Sequence, residues 1–504
     1  MKKLKLNKKI LFGLFGASAA LLAVAAVAAS CAKDDKNDTK KGGESGKTNN
    51  DKGNTQAEVS PYVLNTFYRA TAGSDTAAFQ ATFNSLIDDG ARYLITTGFS
   101  FTGPLSETMG KKEGLAKNTV VGFVDSKYNG EANKDRVASV EFRSDHGGFA
   151  TGIAAAYYLN ANQAAFMKTK STLKWGGFVG QGYASTLSFI KGFQEGVKYA
   201  NTLLANKQVP QANDKNVTKT WVQVGQATAG ESFESGAWGP GEGKVATILS
   251  SLVSDGADLI LPVAGGQTID AVNTASTNTT RPILVIGVDV PQEDNAALNK
   301  TTNFADLNGG KSVLFSITKR VDLAAQALID NATKTTALTA KAEDNQFRLG
   351  THSLVGFDEK SYYNGQPLVG VSKAGQQYLI DALKLAGKST VTDYVSAIRE
   401  IQNSSQYNEL ATTSTYTGAN QVSKEYTFNE TSFLDNSSSR TSSTAFATVW
   451  NSAANKDEKA KLVKLALGDA GSRIDDQSFN QTTYEGLRAF YKANGIILPK
   501  PTGN

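Results

Sequence analysis

Residues 119–125 read TVVGFVD, a short run of apolar, β-forming residues that ends in an aspartate. Stretches with apolar residues at helical spacing flank such runs, as between Ala78 and Ile87. Because strands that alternate with helices build parallel sheets covered by helices, the pattern predicts an α/β fold. Comparable apolar runs recur along the chain, at 93–97, 173–180, 221–224, 259–263 and 283–288.

The strand ends provide the first candidate binding residues. Asp125 and Asp289 each follow an apolar run directly, and Gly265 and Gly266 follow another. Ligands of open α/β sheets bind beyond the carboxyl ends of the strands. We therefore expect these four residues to lie near a ligand.

Length and charge limit the choice of function. At 504 residues the chain is longer than a typical single domain, so we expect at least two lobes. The formal net charge of +5 comes from the N-terminus, because residues 1–30 contain five lysines and no acid. The remainder is formally neutral, which argues against nucleic acid as a partner.

The scarcity of Cys and His argues against several kinds of chemistry. One Cys and two His exclude an intrachain disulfide and leave too few ligands for a zinc cluster of these residues. They also leave little material for Ser-His or Cys-His catalysis. We therefore expect neither a metal nor a cofactor, and we expect His146 to have a structural role.

The N-terminus resembles a lipoprotein signal. Lysines dominate residues 1–9, residues 10–30 are uncharged and mostly apolar, and the sequence Ala-Ala-Ser at 28–30 precedes Cys31. This pattern predicts a signal peptide at 1–30 and lipid attachment at Cys31 on the extracellular face of the cell membrane. The alternative is an uncleaved helical anchor. Residues 31–59 are polar and predict a disordered tether.

The last hundred residues divide into two parts. Ser, Thr and Asn make up 27 of the residues 401–460, which predicts a linker or a loosely ordered excursion. Apolar periodicity returns in 461–504, with an alternating strand pattern at 461–468, a loop that contains Asp469 and Asp476, and a helical pattern from 481.

The sequence IDDQSFNQ at 474–481 combines carboxylates, an aromatic ring and an amide before that helix. A helix cap followed by an exposed Phe would explain it without any ligand. As a binding site, Phe479 would stack on a nucleobase, and Asn480 would read the base edge with both a donor and an acceptor.

At this block the sequence resembles the basic membrane protein (BMP) family of lipoproteins. These are purine-nucleoside receptors with the type I periplasmic-binding-protein fold that serve ABC importers. In the family this block begins the mature domain, whereas here it lies at the C-terminus, which indicates a circular permutation. The resemblance extends to other segments in family order, at 88–91, 122–126, 145–156, 177–180, 192–196, 255–258, 264–266, 286–289 and 316–322.

The resemblance implies two α/β lobes, each a parallel sheet flanked by helices, with a cleft between them. The first lobe would comprise 60–170 with 461–504 and part of 290–345. The second lobe would comprise 171–289 with about 346–400. The C-terminal segment would supply the first strand–helix unit of the first lobe.

The resemblance also implies the site. Phe479 would stack on the base of guanosine, inosine or adenosine while Asn480 and Asp125 bind its edge. Asp289 and Lys319 would bind the ribose hydroxyls. The remaining candidates share the cleft in this interpretation, with Phe233 slightly preferred to Trp238 as a second stacking ring: Phe233, Trp238, Gly265, Gly266, Asp469 and Asp476.

No catalytic residue is expected, and the partners would be the nucleoside, an ABC transporter permease and the membrane. Two alternatives stay open at this point. One is an enzyme that acts on nucleosides, which would form product from inosine. The other is a surface adhesin or antigen on a binding-protein fold, which would bind no nucleoside.

Overall fold

The computed structural model describes residues 67–69, 71, 75–110, 115, 119–434, 445–468, 474 and 479–500. The predicted signal peptide, Cys31 and the tether therefore lie outside the described residues, as do Asp469 and Asp476.

The first sheet contains strands from both ends of the chain. Six of its seven described strands are parallel, and the seventh is an antiparallel edge strand. In spatial order they are Tyr68–Arg69, Val463–Ala466, Tyr93–Thr97, Val120–Val124, Val137–Phe142, Thr351–Val355 and Ser432–Phe433.

The second sheet is built from the middle of the chain. Five of its six described strands are parallel, and one edge strand is antiparallel. In spatial order they are Val369–Val371, Val313–Lys319, Leu284–Asp289, Leu259–Val263, Leu173–Val179 and Val224–Gln226.

Helices cover both sheets, and two hairpins, Gln208–Pro210 with Thr218–Thr220 and Thr413–Thr417 with Ser423–Thr427, lie outside them. The described α-helices are Thr76–Asp88, Thr102–Gly110, Ser144–Ala161, Gln163–Phe166, Ala184–Leu203, Val245–Ser254, Thr268–Thr277, Val321–Ala332, Lys373–Leu385, Tyr394–Gln402, Ser405–Asn408, Ala445–Ser452, Lys456–Leu462 and Phe479–Ala493.

Four crossings join the two lobes within the described residues. The chain leaves the first sheet at Arg143, returns to it at Arg320, leaves again between Val355 and Val369, and returns between the hairpin Thr413–Thr417 with Ser423–Thr427 and strand Ser432–Phe433. Two mostly parallel sheets, each flanked by helices and joined by repeated crossings, confirm the predicted two-lobed α/β fold class.

The lobe boundaries differ from the prediction in two places. Helix Ser144–Ala161 packs against helices Ala184–Leu203 and Lys373–Leu385 of the second lobe, because the chain crosses directly after strand Val137–Phe142. Strand Thr351–Val355, in turn, lies in the first sheet rather than in the second lobe.

The prediction of a linker at 401–460 is wrong for its described part. The hairpin Thr413–Thr417 with Ser423–Thr427 packs against helix Ala184–Leu203, and Ser432–Phe433 then pairs with the first sheet. Tyr416 and Tyr426 on this hairpin are buried. These rings, one on each strand and on the same face of the hairpin, give the polar segment a packed face that counts of Ser, Thr and Asn do not detect.

The C-terminal strand Val463–Ala466 lies in the interior of the first sheet. It pairs in parallel with Tyr68–Arg69 on one side and with Tyr93–Thr97 on the other. Val463 and Leu465 are fully buried there. This apolar pattern suits a parallel strand that is covered on both faces.

Candidate functional site

Two aspartates occupy equivalent places in the two lobes. Asp125 follows strand Val120–Val124 of the first sheet, and Asp289 ends strand Leu284–Asp289 of the second. Both have left-handed backbones, with φ of 64° and 67°. This conformation is uncommon for residues other than glycine, and Asp is among those that tolerate it best. It turns the chain sharply where each strand meets the cleft.

Lys319 connects the two aspartates. It ends strand Val313–Lys319, and its Nζ lies 3.1 Å from Oδ1 of Asp125 and 3.4 Å from Oδ1 of Asp289. It also donates a hydrogen bond to Oδ2 of Asp125 at 3.2 Å. Only 3% of the Lys319 side chain is exposed. An ammonium from the second lobe is thus held between carboxylates of both lobes.

Burial and charge set the protonation of this triad. Burial would lower the pKa of Lys319, but the charges of Asp125 and Asp289 more than offset it and raise the pKa above its ordinary value. Burial raises the pKa of Asp125 to about 6, although the charge of Lys319 acts in the opposite direction. At pH 7 the ammonium and the Asp125 carboxylate are therefore both charged.

Phe479 reaches the triad from the C-terminal helix Phe479–Ala493. Lys319 Nζ lies 5.8 Å from the centroid of the Phe479 ring and 4.9 Å from that of Phe189. Both distances fit cation–π contacts. Because Lys319 is also bonded to Asp125, the structure brings Phe479 close to Asp125. Phe189, a ring of helix Ala184–Leu203, was missed because it belongs to an ordinary amphipathic helix pattern.

The Asn480 side chain bonds to the protein's own backbone. Its Oδ1 accepts a hydrogen bond of 3.2 Å from the backbone N–H of Gly468, and the residue is buried. This contact ties the helix to the end of strand Val463–Ala466. A second tie is the hydrogen bond of 2.5 Å between the hydroxyls of Thr97 and Thr483.

The structure separates the two candidates for a second stacking ring. Phe233 is 2% exposed and packs edge-on against Tyr416, with ring centroids 4.8 Å apart. The slight preference for Phe233 is therefore not supported, because the ring is enclosed by the 413–427 hairpin. Trp238 is half-buried and faces Phe99 of the first lobe, with ring centroids 6.0 Å apart.

Gly265 and Gly266 accommodate the Trp238 loop. A Cβ at Gly266 would lie 3.1 Å from Cδ of Pro240 and 3.3 Å from the carbonyl oxygen of Trp238. Gly265 has a φ of 55°. In the structure these glycines are approached closely by the protein's own loop.

A cavity of about 580 Å³ borders Lys319 on the side of the C-terminal helix. Its volume is within the range of small-molecule sites. Its lining includes Val290, Pro291, Thr318, Gln481 and Thr482.

His146 has a structural environment, as expected. Its Nδ1 accepts a hydrogen bond of 3.1 Å from the backbone N–H of Phe357 and lies 3.0 Å from the hydroxyl of Tyr407. Burial lowers the pKa of His146 well below its ordinary value, with Arg143 acting in the same direction. The neutral imidazole therefore packs where the chain crosses between the lobes, beside Arg143 and Phe357.

Among the residues that the structure describes, no helix is both long enough and apolar enough to cross a membrane.

The sequence model of a family described as "ABC transporter substrate-binding protein PnrA-like" matches residues 43–222. Two mycoplasma proteins, each named an uncharacterized lipoprotein, are similar in sequence.

The relative from Mycoplasma genitalium is 29% identical over 414 residues, which are 69% of this chain and 68% of the relative. The relative from Mycoplasma pneumoniae is 28% identical over 384 residues, which are 63% of this chain and 56% of the relative. This chain therefore spans little more than half of the second lipoprotein.

Solved structures of ABC transporter solute-binding proteins are more distant. One from Aeropyrum pernix K1 is 18% identical with a TM-score of 0.39, over 67% of this chain and 77% of that one. One from Conexibacter woesei is 12% identical with a TM-score of 0.34, over 64% of this chain and 86% of that one. The family match, over little more than a third of this chain, and the two relatives are therefore similarities to PnrA-like ABC transporter substrate-binding proteins and to mycoplasma lipoproteins.

Proposed function

We propose that the protein is a lipid-anchored extracellular receptor that captures purine nucleosides and delivers them to an ABC importer. The observation that carries the proposal is Lys319, held between Asp125 of one lobe and Asp289 of the other beside the ring of Phe479. The ring can stack on a base, and the charged groups can bind ribose hydroxyls and polar atoms of the base edge. Cys31 would carry the lipid.

The ion pairs themselves suggest how a ligand promotes closure. Asp125 and Lys319 belong to different lobes, so their contact exists only when the lobes approach each other. A nucleoside that bonds to both groups would add to this contact. Lobe closure around the ligand would then present the loaded form to the permease.

We also propose that the C-terminal strand and helix replace the first strand–helix unit of the family. In support, strand Val463–Ala466 is an interior strand, and Phe479 of its helix lies near the site. A permutation of this kind is tolerated where the original termini lie close together.

Calorimetry on the folded domain tests the function. We expect guanosine, inosine or adenosine to bind well ahead of ribose, and Phe479→Ala to cost about 1–3 kcal/mol through lost stacking. Asp289→Ala should weaken nucleoside binding far more than free-base binding, whereas Lys492→Ala on the exposed end of the same helix should change neither. Ribose binding as tight as nucleoside binding, or no nucleoside binding at all, would overturn the proposal.

The anchor needs a separate test in cells. Labelled fatty acid should attach to the wild-type protein and not to the Cys31→Ser variant. Label on the variant would place the lipid elsewhere.

A further inference from the structure

Phe99 has an unusual environment for a large apolar residue. It is 63% exposed, the largest value among the large apolar side chains of the described residues. It opens the short turn Phe99–Phe101, directly beyond strand Tyr93–Thr97 of the first sheet. An exposed ring leaves apolar area in water, which is unfavourable unless the ring has a contact to make.

The backbone that carries Phe99 is held on both sides. The N–H of Gly98 donates to the carbonyl of Val124 at 3.0 Å, and the hydroxyls of Thr102 and Ser126 lie 2.7 Å apart. Gly98 has a φ of 99°, which favours glycine, and this residue starts the turn. The exposed ring is therefore fixed in place by the strand end that also carries Asp125.

Phe101 fixes the turn from the other side. It is fully buried and packs edge-on against Phe79, with ring centroids 4.7 Å apart. One aromatic residue of the turn thus anchors it in the core while Phe99 projects outward. The outward ring meets Trp238 of the second lobe at a centroid distance of 6.0 Å and an interplanar angle of 33°.

Phe99 and Phe479 extend from one edge of the first sheet. The hydroxyls of Thr97 and Thr483 are bonded at 2.5 Å. Phe99 lies two residues beyond Thr97, and Phe479 lies one helical turn before Thr483. Asp125 directly follows the neighbouring strand of the same sheet. Phe99 therefore leaves the first sheet at the same end as Asp125, from the neighbouring strand.

We propose that Phe99 is a further ligand-positioning residue, which pairs with Trp238 across the lobes to close the cleft over a bound aromatic solute. This inference rests on the proposed function, because it assigns a role at that site. A ring fixed in one lobe and a ring on a loop of the other separate when the lobes open. Their apolar contact therefore favours the closed form and retards release of the solute.

Stopped-flow kinetics on the full-length chain tests the proposal with inosine as the probe. Phe99→Ala should raise the inosine dissociation rate by about tenfold, as expected for the loss of an aromatic contact. Phe99→Tyr, which keeps the ring, should stay near the wild-type rate. The control is Tyr183→Ala, which removes another exposed ring (53%) at the start of helix Ala184–Leu203 and should leave the rate unchanged.

Trp238 gives a readout that needs no nucleoside. Phe99→Ala should shift the tryptophan emission of the solute-free protein to longer wavelength, because the indole gains water. The shift should vanish in a Trp238→Phe background. A melting temperature within a few degrees of wild type would show that the variant folds, and Phe99→Leu provides a second variant with an apolar side chain.

The outcomes separate the two proposals. If the wild type binds inosine and the dissociation rate is unchanged in both Phe99→Ala and Phe99→Leu, the Phe99 proposal is overturned while the proposed function stands. If no nucleoside binds, the proposed function fails, and an absent emission shift then rejects the Phe99–Trp238 contact as well. Unchanged inosine kinetics with lost transport in cells would overturn the positioning role in favour of a permease-docking surface.

Discussion

The two sheets reach the same architecture by different use of the chain. The second sheet takes its described strands from 173–371, whereas the first combines strands from 68–142 with strands at 351–355, 432–433 and 463–466. An interior strand of the first sheet therefore depends on contacts between residues almost 400 positions apart. Closing such long loops is slow, because the entropy cost precedes the gain from pairing. The first lobe should thus depend on an intact C-terminus in a way that the second does not.

The strand ends differ much less than the sheets. Asp125 and Asp289 share a left-handed backbone and the same ammonium partner, although one belongs to each lobe. The binding groups thus follow from the local strand-to-loop turn rather than from the order in which strands are connected. This separation allows the C-terminal strand to enter the first sheet without displacing Asp125.

Removal of the C-terminal strand and helix should have the largest effect. A chain truncated after Leu462 should lose nucleoside binding and expose the core of the first lobe, because Tyr93–Thr97 loses its parallel neighbour. Hydrogen exchange measured by mass spectrometry should show lost protection at Tyr93–Thr97 and Val120–Val124. Protection at Leu259–Val263 in the second sheet should persist.

Point variants of the same segment sharpen this test. Leu465→Asp places a charge at a fully buried position and should reproduce the truncation, whereas Lys492→Ala on the exposed helix end should not. Retained protection at Tyr93–Thr97 in the truncated chain would show that the first lobe does not need the C-terminal strand.

Much of the fold could be predicted because apolar periodicity is a local signal. The strands around Tyr93, Val120 and Leu259 have it, and so does the C-terminal strand. Lobe membership could not be predicted, because helix Ser144–Ala161 and strand Thr351–Val355 are assigned by crossings that leave no local pattern. The 413–427 hairpin was missed because its buried apolar face comes from one tyrosine on each strand within a polar composition.

The site residues likewise divide into those that the sequence could predict and those that it could not. Asp125 and Asp289 could be named in advance from their strand ends and Lys319 from the family resemblance, and the structure joins all three. The preference for Phe233 was not supported because loop sequence does not reveal which aromatic ring faces its own core. Phe99 was missed for the opposite reason: a Phe after a strand looks like core, and only the structure shows that Phe101 fills that place instead.

Lys464 provides a smaller test of how the first sheet accepts the C-terminal strand. This lysine is buried in strand Val463–Ala466, and its Nζ donates to the carbonyl of Asp89 at 2.9 Å. Burial lowers the pKa of Lys464 from its ordinary value of 10.5 to about 8. The folded state therefore disfavours the charge, a penalty of about 3 kcal/mol at pH 7.

Lys464→Met should raise the free energy of unfolding at pH 7 by about 2 kcal/mol, since the lost hydrogen bond offsets about 1 kcal/mol. Between pH 8 and 10.5 the unfolded chain holds a proton that the folded chain has released. The wild type should thus gain stability with rising pH in this window, and the variant should lose that part of the slope. Urea unfolding at pH 7 and 9.5 measures the free energy of unfolding and its change with pH, with Lys492→Met as the exposed control. If the free energy of unfolding changes equally with pH in wild type and Lys464→Met, burial of a charged lysine would be contradicted.

Acidification should give the smallest effect, and it acts on the lobe that carries Asp125. The pKa of this carboxyl is raised to about 6 by burial, so lowering the pH from 7.5 to 5 protonates most of it. Protonation removes an acceptor from the ligand and a partner from Lys319, and nucleoside affinity should fall about tenfold.

The stability of the solute-free protein should change in the opposite direction. A carboxyl with a raised folded-state pKa binds its proton more tightly when folded, so its contribution to stability grows as the pH falls through 6 toward 4. Asp125→Asn should bind weakly at both pH values without this dependence, while Asp289→Asn should keep it. Calorimetric titrations and thermal melts at pH 5 and 7.5 distinguish the two signs, and binding that does not weaken at pH 5 would remove Asp125 from the ligand contacts.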